Sequence, residues 1–332
     1  SYSGSAGDDV RIYDPSDLVV DGLGGIDTLR FDTVSAANVV LDLGDTAGRP
    51  LIQNMEIIDI GGMAASSNYL IVSPTSVGQV TGSTTLTVDA DTVGDKVFLE
   101  GNWGARVLSA DGQYWVYTSN DVSPPVSVKI DTVATVDYVI AGATVGGGIM
   151  DVLRGGSGND TLTGAGDADV LRGSGGNDVL VFDAADLMID GGSGTDTLRA
   201  AGDINLTTLN DKVVQNIEVI DLGNHSGTTT LTLNATDVLA LNSSGAVSVT
   251  GTSDDMVRLT GEWVQGATAN GYTVFSLNGA NVAVQTGVLP VLTGTSGRDA
   301  LTAGAGTQWL DGGAGSDVLN GGAGADTLSG GD

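Results

Sequence analysis

Short apolar bursts punctuate this chain, and between Gly146 and Arg199 they become strictly periodic. Read in nines, the segment is GGGIMDVLR, GGSGNDTLT, GAGDADVLR, GSGGNDVLV, FDAADLMID and GGSGTDTLR. The eighth place is always apolar: Leu153, Leu162, Leu171, Leu180, Ile189 and Leu198. The sixth place is Asp151, Asp160, Asp169 and Asp178, then Leu187, then Asp196. Glycines collect ahead of each Asp, among them Gly156, Gly158, Gly176, Gly192 and Gly194. They predict a tight turn with φ > 0 that exposes carbonyl oxygens. The Asp adds a hard oxygen beside those carbonyls, a donor set suited to Ca²⁺. The x-apolar-x that follows is long enough for a short strand with one side chain inward.

If two nines make one coil, loops on the same side lie eighteen residues apart, pairing Asp151 with Asp169, Asp160 with Asp178, and Asp178 with Asp196. FDAADLMID keeps the spacing without the loop glycines, and is expected to be a half-coil lacking a full calcium loop. The pattern G-G-x-G-x-D-x-U-x, matched in full at Gly155–Thr163 and Gly191–Arg199, resembles the RTX (haemolysin-type) calcium-binding repeats of secreted bacterial proteins. The resemblance implies a parallel β-roll, several bound Ca²⁺ ions, and type I export of an unfolded chain that folds in calcium outside the cell.

The N-terminal stretch GSAGDDVRIYDPSDLVVDGLGGIDTLR lies without gaps on GSGGNDVLVFDAADLMIDGGSGTDTLR, 169 residues later. Asp9 falls on Asp178, Asp27 on Asp196 and Leu29 on Leu198. Arg11 replaces an inward Leu and Leu23 a loop Gly, so this block is expected to hold calcium less well. Beyond it, IQNMEIIDIGG matches VQNIEVIDLGN and DKVFLEGNW matches DMVRLTGEW, placing Trp103 on Trp263. The apolar bursts there alternate at period two and predict short strands, with no convincing amphipathic helix of three turns. The pattern leaves open whether these modules continue the solenoid or form separate sandwiches, the strand spacing leaning toward a parallel stack.

A third nonapeptide block closes the chain: GTSGRDALT, AGAGTQWLD, GGAGSDVLN and GGAGADTLS. Gly297, Gly313, Gly315 and Gly324 are its loop glycines, and Asp299 pairs with Asp317 at eighteen. Asp326 meets Gln308, a neutral and poorer ligand. The expected organisation is therefore a partial RTX block over 1–30, a β module over 31–145, an RTX block over 146–199, a second module over 200–293 and a truncated RTX block over 294–332. The fold class is all-β and solenoid-like, with an elongated form.

Charge sharpens this picture: 41 acidic against 12 basic residues give a net charge of −29, which argues against a nucleic-acid partner. No Cys is present, so metal rather than disulfide is expected to hold an exported chain. No apolar run is long enough to span a membrane. The first residue is not Met and the last repeat is cut short, so a longer parent protein is expected. Catalysis finds little to work with: His225 is the only histidine, in a turn, and no G-x-S-x-G elbow occurs. Trp103 and Trp263 suit packing at a module edge better than stacking on a sugar. The function expected is a non-enzymatic, calcium-dependent structural or adhesive section of a secreted surface protein: a biofilm adhesin, matrix filament or surface layer. Its partners would be calcium, other copies of itself and, as the weakest expectation, cell-surface glycans. The alternative is the calcium-binding portion of a secreted protease, lipase or epimerase whose catalytic domain lies elsewhere.

Overall fold

The computed structural model describes residues 2–14, 17, 19–31, 39–44, 51–61, 68–91, 94–141, 146, 150–223 and 227–331. Two compact units divide the chain, Ser1–Ile140 and Ala141–Asp332. Both are built of short strands, mostly in parallel sheets.

In the second unit the nine-residue period becomes geometry. Val152–Arg154 lies parallel to Val170–Arg172, which lies parallel to Met188–Asp190. On a second face, Thr161–Leu162, Val179–Phe182 and Thr197–Ala200 repeat the arrangement. Leu171 stands between Leu153 and Ile189, and Leu180 between Leu162 and Leu198. All six are buried in one hydrophobic cluster, each contributing roughly 1.5–3 kcal/mol of burial. A coil is thus two nines, as the spacing predicts.

The module after this block continues the same parallel ladder instead of starting a separate sandwich. Leu198 pairs with Ile220, Ile220 with Val249, and Val249 with Val284, so the register step grows from 18 residues to 22, 29 and 35. The longer coils make room for a further parallel sheet that includes Thr230–Asn234, Met256–Thr260 and Leu289–Thr293. They also hold an antiparallel hairpin, Val264–Ala269 with Tyr272–Leu277. Its turn is Asn270-Gly271, both at positive φ, the combination that a two-residue turn matched to strand twist requires. Leu292 then pairs with Leu310, and Leu310 with Leu328, returning to the 18-residue step.

The first unit repeats this plan. Arg11 pairs with Leu29, Leu29 with Ile58, and Ile58 with Val88, all parallel. Arg11 does occupy an inward register position, where its guanidinium reaches Asp17 at 2.6 Å and lies over the Tyr2 ring.

Among the described residues each unit also contains one short α-helix that the apolar pattern does not announce: α1, Pro74–Thr81, and α2, Ala235–Leu241. Both are two turns long, too short to show a face, yet both are capped. Ser73 and Ser76 exchange backbone and side-chain hydrogen bonds at the start of α1. Asn234 and Asp237 do the same at the start of α2. These reciprocal caps are variants of the capping box; in α1 they are joined by Pro74 at the start and Gly82 in the left-handed conformation at the end.

Candidate calcium loops

The carboxylates at the sixth place form rows, one per side of the coil. Each row is tied together by the same bond: the Asp backbone N–H donates to the carboxylate one coil later. Asp151 N–H meets Asp169 Oδ1 at 2.7 Å, Asp160 N–H meets Asp178 Oδ1 at 2.8 Å, and Asp178 N–H meets Asp196 Oδ1 at 2.8 Å. In the last block Asp299 N–H meets Asp317 Oδ1 at 2.9 Å, and Gln308 N–H meets Asp326 Oδ1 at 3.1 Å. In the first unit Asp9 N–H meets Asp27 Oδ1 at 2.8 Å. Every expected pair at eighteen residues is therefore adjacent.

The second carboxylate oxygen divides the loops into two kinds. In the loops of Asp9, Asp160 and Asp299, each of which opens a row, it turns back onto its own turn. Asp9 Oδ2 accepts the Ser5 N–H, Asp160 Oδ2 the Gly156 N–H, and Asp299 Oδ2 the Thr295 N–H. Inside the rows, Asp27, Asp169, Asp178, Asp196 and Asp317 each keep a buried Oδ2 with no hydrogen-bond partner. A buried charged oxygen without a partner costs several kcal/mol unless a cation or proton meets it.

The glycines divide the same way. Gly176, Gly192, Gly194, Gly313, Gly315 and Gly324, all in loops stacked on a preceding one, adopt positive φ as expected. Gly156, Gly158 and Gly297, in the opening loops, do not, which corrects the expectation for them. In the loops of Asp160 and Asp299 the turn folds over its own Asp instead, whereas Gly306, in the loop that opens the Gln308 row, does take positive φ. First-place glycines are needed for a different reason. A Cβ on Gly155 would come within 2.5 Å of the Gly173 carbonyl oxygen and 2.6 Å of Asp160 Oδ2.

Two further groups of carboxylates belong to the rows, and the nonapeptide pattern does not show them. FDAADLMID, which lacks the loop glycines, was expected to be a half-coil without a full calcium loop, and Leu187 stands at its sixth place. Its neighbour Asp186 takes the position instead and accepts the Asp169 N–H at 3.2 Å. In the modules Glu56 accepts the Asp27 N–H and Glu218 the Asp196 N–H, both at 2.9 Å. Their signal is an acid two places ahead of an inward residue, Glu56 before Ile58 and Glu218 before Ile220.

Crowded acids out of water resist ionisation. Burial first, then the adjacent carboxylates, push Asp169 and Asp196 up to about 6 and Asp186 to about 7. Burial, with Asp160 nearby, also raises Asp178. A divalent cation would remove both causes. No group of three or more acidic or histidine side chains suited to a metal occurs among the described residues. One carboxylate per loop is what coils at strand spacing allow, so carbonyl oxygens must supply the rest, as six-to-eight-coordinate Ca²⁺ accepts.

The RTX calcium-binding nonapeptide repeat matches residues 145–180 and 302–332, in four copies. The chain carries RTX calcium-binding repeats in these segments. RTX repeats bind calcium as a class, and the unpartnered Oδ2 atoms and glycine-lined loops fit that ion. The same geometry extends past the matched segments, to the loops ending in Asp27 and Asp196. No curated protein matches the chain.

Other candidates resolve simply. Trp103 and Trp263 are buried, at 8% and 2% exposure, and their indole N–H groups donate to the Glu100 and Thr260 carbonyls. Both are packed inside their modules, in line with the packing role the sequence favours over a sugar platform. His225 lies outside the described residues. Among the described residues no helix is long and apolar enough to cross a membrane.

Proposed function

We propose that this chain is a calcium-folded structural section of a large secreted bacterial surface protein, adhesive or lattice-forming and not enzymatic. The observation that carries the reading is the set of five buried Oδ2 atoms without partners, in rows spaced one coil apart. At a strand separation of ~4.8 Å, two ionised carboxylates repel by roughly 3 kcal/mol at an effective dielectric of 20. Calcium ions in the rows convert that repulsion into attraction and stabilise the folded state by mass action, since the unfolded chain lacks the site. A chain with this requirement stays unfolded in a calcium-poor cytosol, which suits type I export, and folds where calcium is abundant. The duplicated module supports a repetitive fibre or surface layer over a secretion tail, because a tail needs no second copy.

Circular dichroism and sizing of the chain during a calcium titration test the reading. The expected result is an expanded, disordered chain in chelator that becomes compact and β-rich at sub-millimolar to millimolar Ca²⁺. Equal folding in chelator would overturn it. Larger species forming at the same step would favour the lattice over the single filament section.

A further inference from the structure

Each unit ends a row of glycine loops on the same shortened loop. Between regular coils the first-place N–H donates to the residue closing the next strand, as Gly173 N–H does to the Asp190 carbonyl at 2.8 Å. At the row's end Gly191 N–H donates to the Gln215 carbonyl and Gly22 N–H to the Gln53 carbonyl, both at 3.1 Å. Asn216 and Asn54 therefore stand where the next first-place glycine would. Four residues separate Gly191 from Asp196, but only Ile217 separates Asn216 from Glu218, and only Met55 separates Asn54 from Glu56. The extra methylene of Glu spans the missing loop and reaches the Asp N–H that an Asp one coil later meets elsewhere.

Both Asn residues sit at φ 53°. Their side-chain amides are held by the preceding coil, Asn54 Nδ2 donating to Asp21 Oδ1 at 2.8 Å and Asn216 Nδ2 to Asp190 Oδ1 at 2.7 Å. That lock turns each Asn carbonyl toward the first-place glycine, where a Cβ would strike both the carbonyl oxygen and the Asp carboxylate. Asp27 and Asp196 are fully buried, and the Oδ2 of each has no partner. A carboxylate oxygen, a carbonyl oxygen and a second carboxylate thus converge with no counter-charge, in two units whose loops are separate.

We propose that Asn54 and Glu56 with Asp27, and Asn216 and Glu218 with Asp196, form two further calcium sites that end the rows. The proposal rests on the calcium reading of the glycine loops and extends it to a loop type without glycine. Here Glu acts as a charged ligand, not only as an acceptor for the Asp N–H.

Equilibrium dialysis of the full chain against a calcium series tests this with a Glu56→Gln/Glu218→Gln double variant. Gln keeps an oxygen for the Asp N–H and removes the charge. The expected result is two fewer ions per chain across the range that saturates the wild type. Asp178→Asn, in a regular loop, serves as the reference and is expected to lose one ion. If Asp178→Asn loses its ion while the double variant binds as the wild type does, the row-ending sites are overturned and the glycine-loop reading stands. If the wild-type chain binds no calcium, both are overturned.

Discussion

Gly158 and Gly194 hold the same place in the two perfect nonapeptides, yet replacing them by Ala should have opposite outcomes. Gly194 has φ 142° and stacks on the preceding loop, where a Cβ would run into the Gly176 carbonyl oxygen. Leaving the right-handed region costs about 1–2 kcal/mol, and a clash with backbone that cannot rotate away adds about 1–3 kcal/mol. Gly158 opens its row, has no positive φ, and a Cβ there meets nothing within 4 Å. Its replacement should change stability by less than ~0.5 kcal/mol, as at an ordinary surface position. The assay is thermal unfolding of the full chain in saturating calcium. At ~2–4 °C per kcal/mol for a unit of this size, Gly194→Ala should lower the midpoint by roughly 4–20 °C and Gly158→Ala by at most about 2 °C. Equal losses at the two positions would refute the distinction between opening and stacked loops.

The carboxylates should follow the same division. Asp178→Asn should raise the calcium concentration needed for folding several-fold, and Asp160→Asn should raise it less, because Asp160 Oδ2 is already met by the Gly156 N–H; calcium-titrated circular dichroism checks both. In chelator, stability should fall as pH rises. Asp169, Asp186 and Asp196 have folded values raised to about 6, 7 and 6, above the 3.8 of an ordinary Asp. Their contribution is complete below about 4 and is lost as pH climbs through about 7. Residual β structure should therefore be greater at pH 4.5 than at pH 8, and excess calcium should flatten the difference. Trp263→Ala empties a fully packed site and should cost about 3–5 kcal/mol, read as a lowered urea midpoint in saturating calcium.

The nonapeptide segments were legible because each repeat contains its own instruction: turn, ligand and inward residue fall within nine positions, and the 18-residue register follows from stacking them. The duplication was legible too, since Asp9 to Leu29 copy Asp178 to Leu198 without a gap. What the sequence hides depends on the neighbouring coil. Gly158 and Gly194 share one place in identical patterns, yet only Gly194, whose loop stacks on the preceding one, takes positive φ, so its own nine residues do not decide it. Asp186 is out of phase by one, and only the packed coil shows that its side chain reaches the row where Leu187 cannot. The helices were missed because two turns are too few to establish a period, and tight capping by Ser73 and Asn234 substitutes for an apolar stripe.

One device recurs at several coil lengths. An acid stands two places ahead of an inward residue: Asp27 before Leu29, Glu56 before Ile58, Asp95 before Val97, Asp255 before Val257. Each accepts an N–H from the coil before it; for the last two the donors are Asn68 and Thr229, both at 2.9 Å. The carboxylate is therefore a latch between coils before it is a ligand. In the modules the latch can be satisfied within the protein: Asp255 Oδ2 accepts the Thr252 N–H at 2.7 Å and its hydroxyl at 3.0 Å. In the stacked glycine loops of Asp27, Asp169, Asp178, Asp196 and Asp317 that oxygen has no hydrogen-bond partner and is left over. The calcium dependence proposed for this chain thus rests on loop chemistry: stacked glycine loops leave a buried carboxylate oxygen for an ion, and module coils such as that of Asp255 supply their own hydrogen bonds.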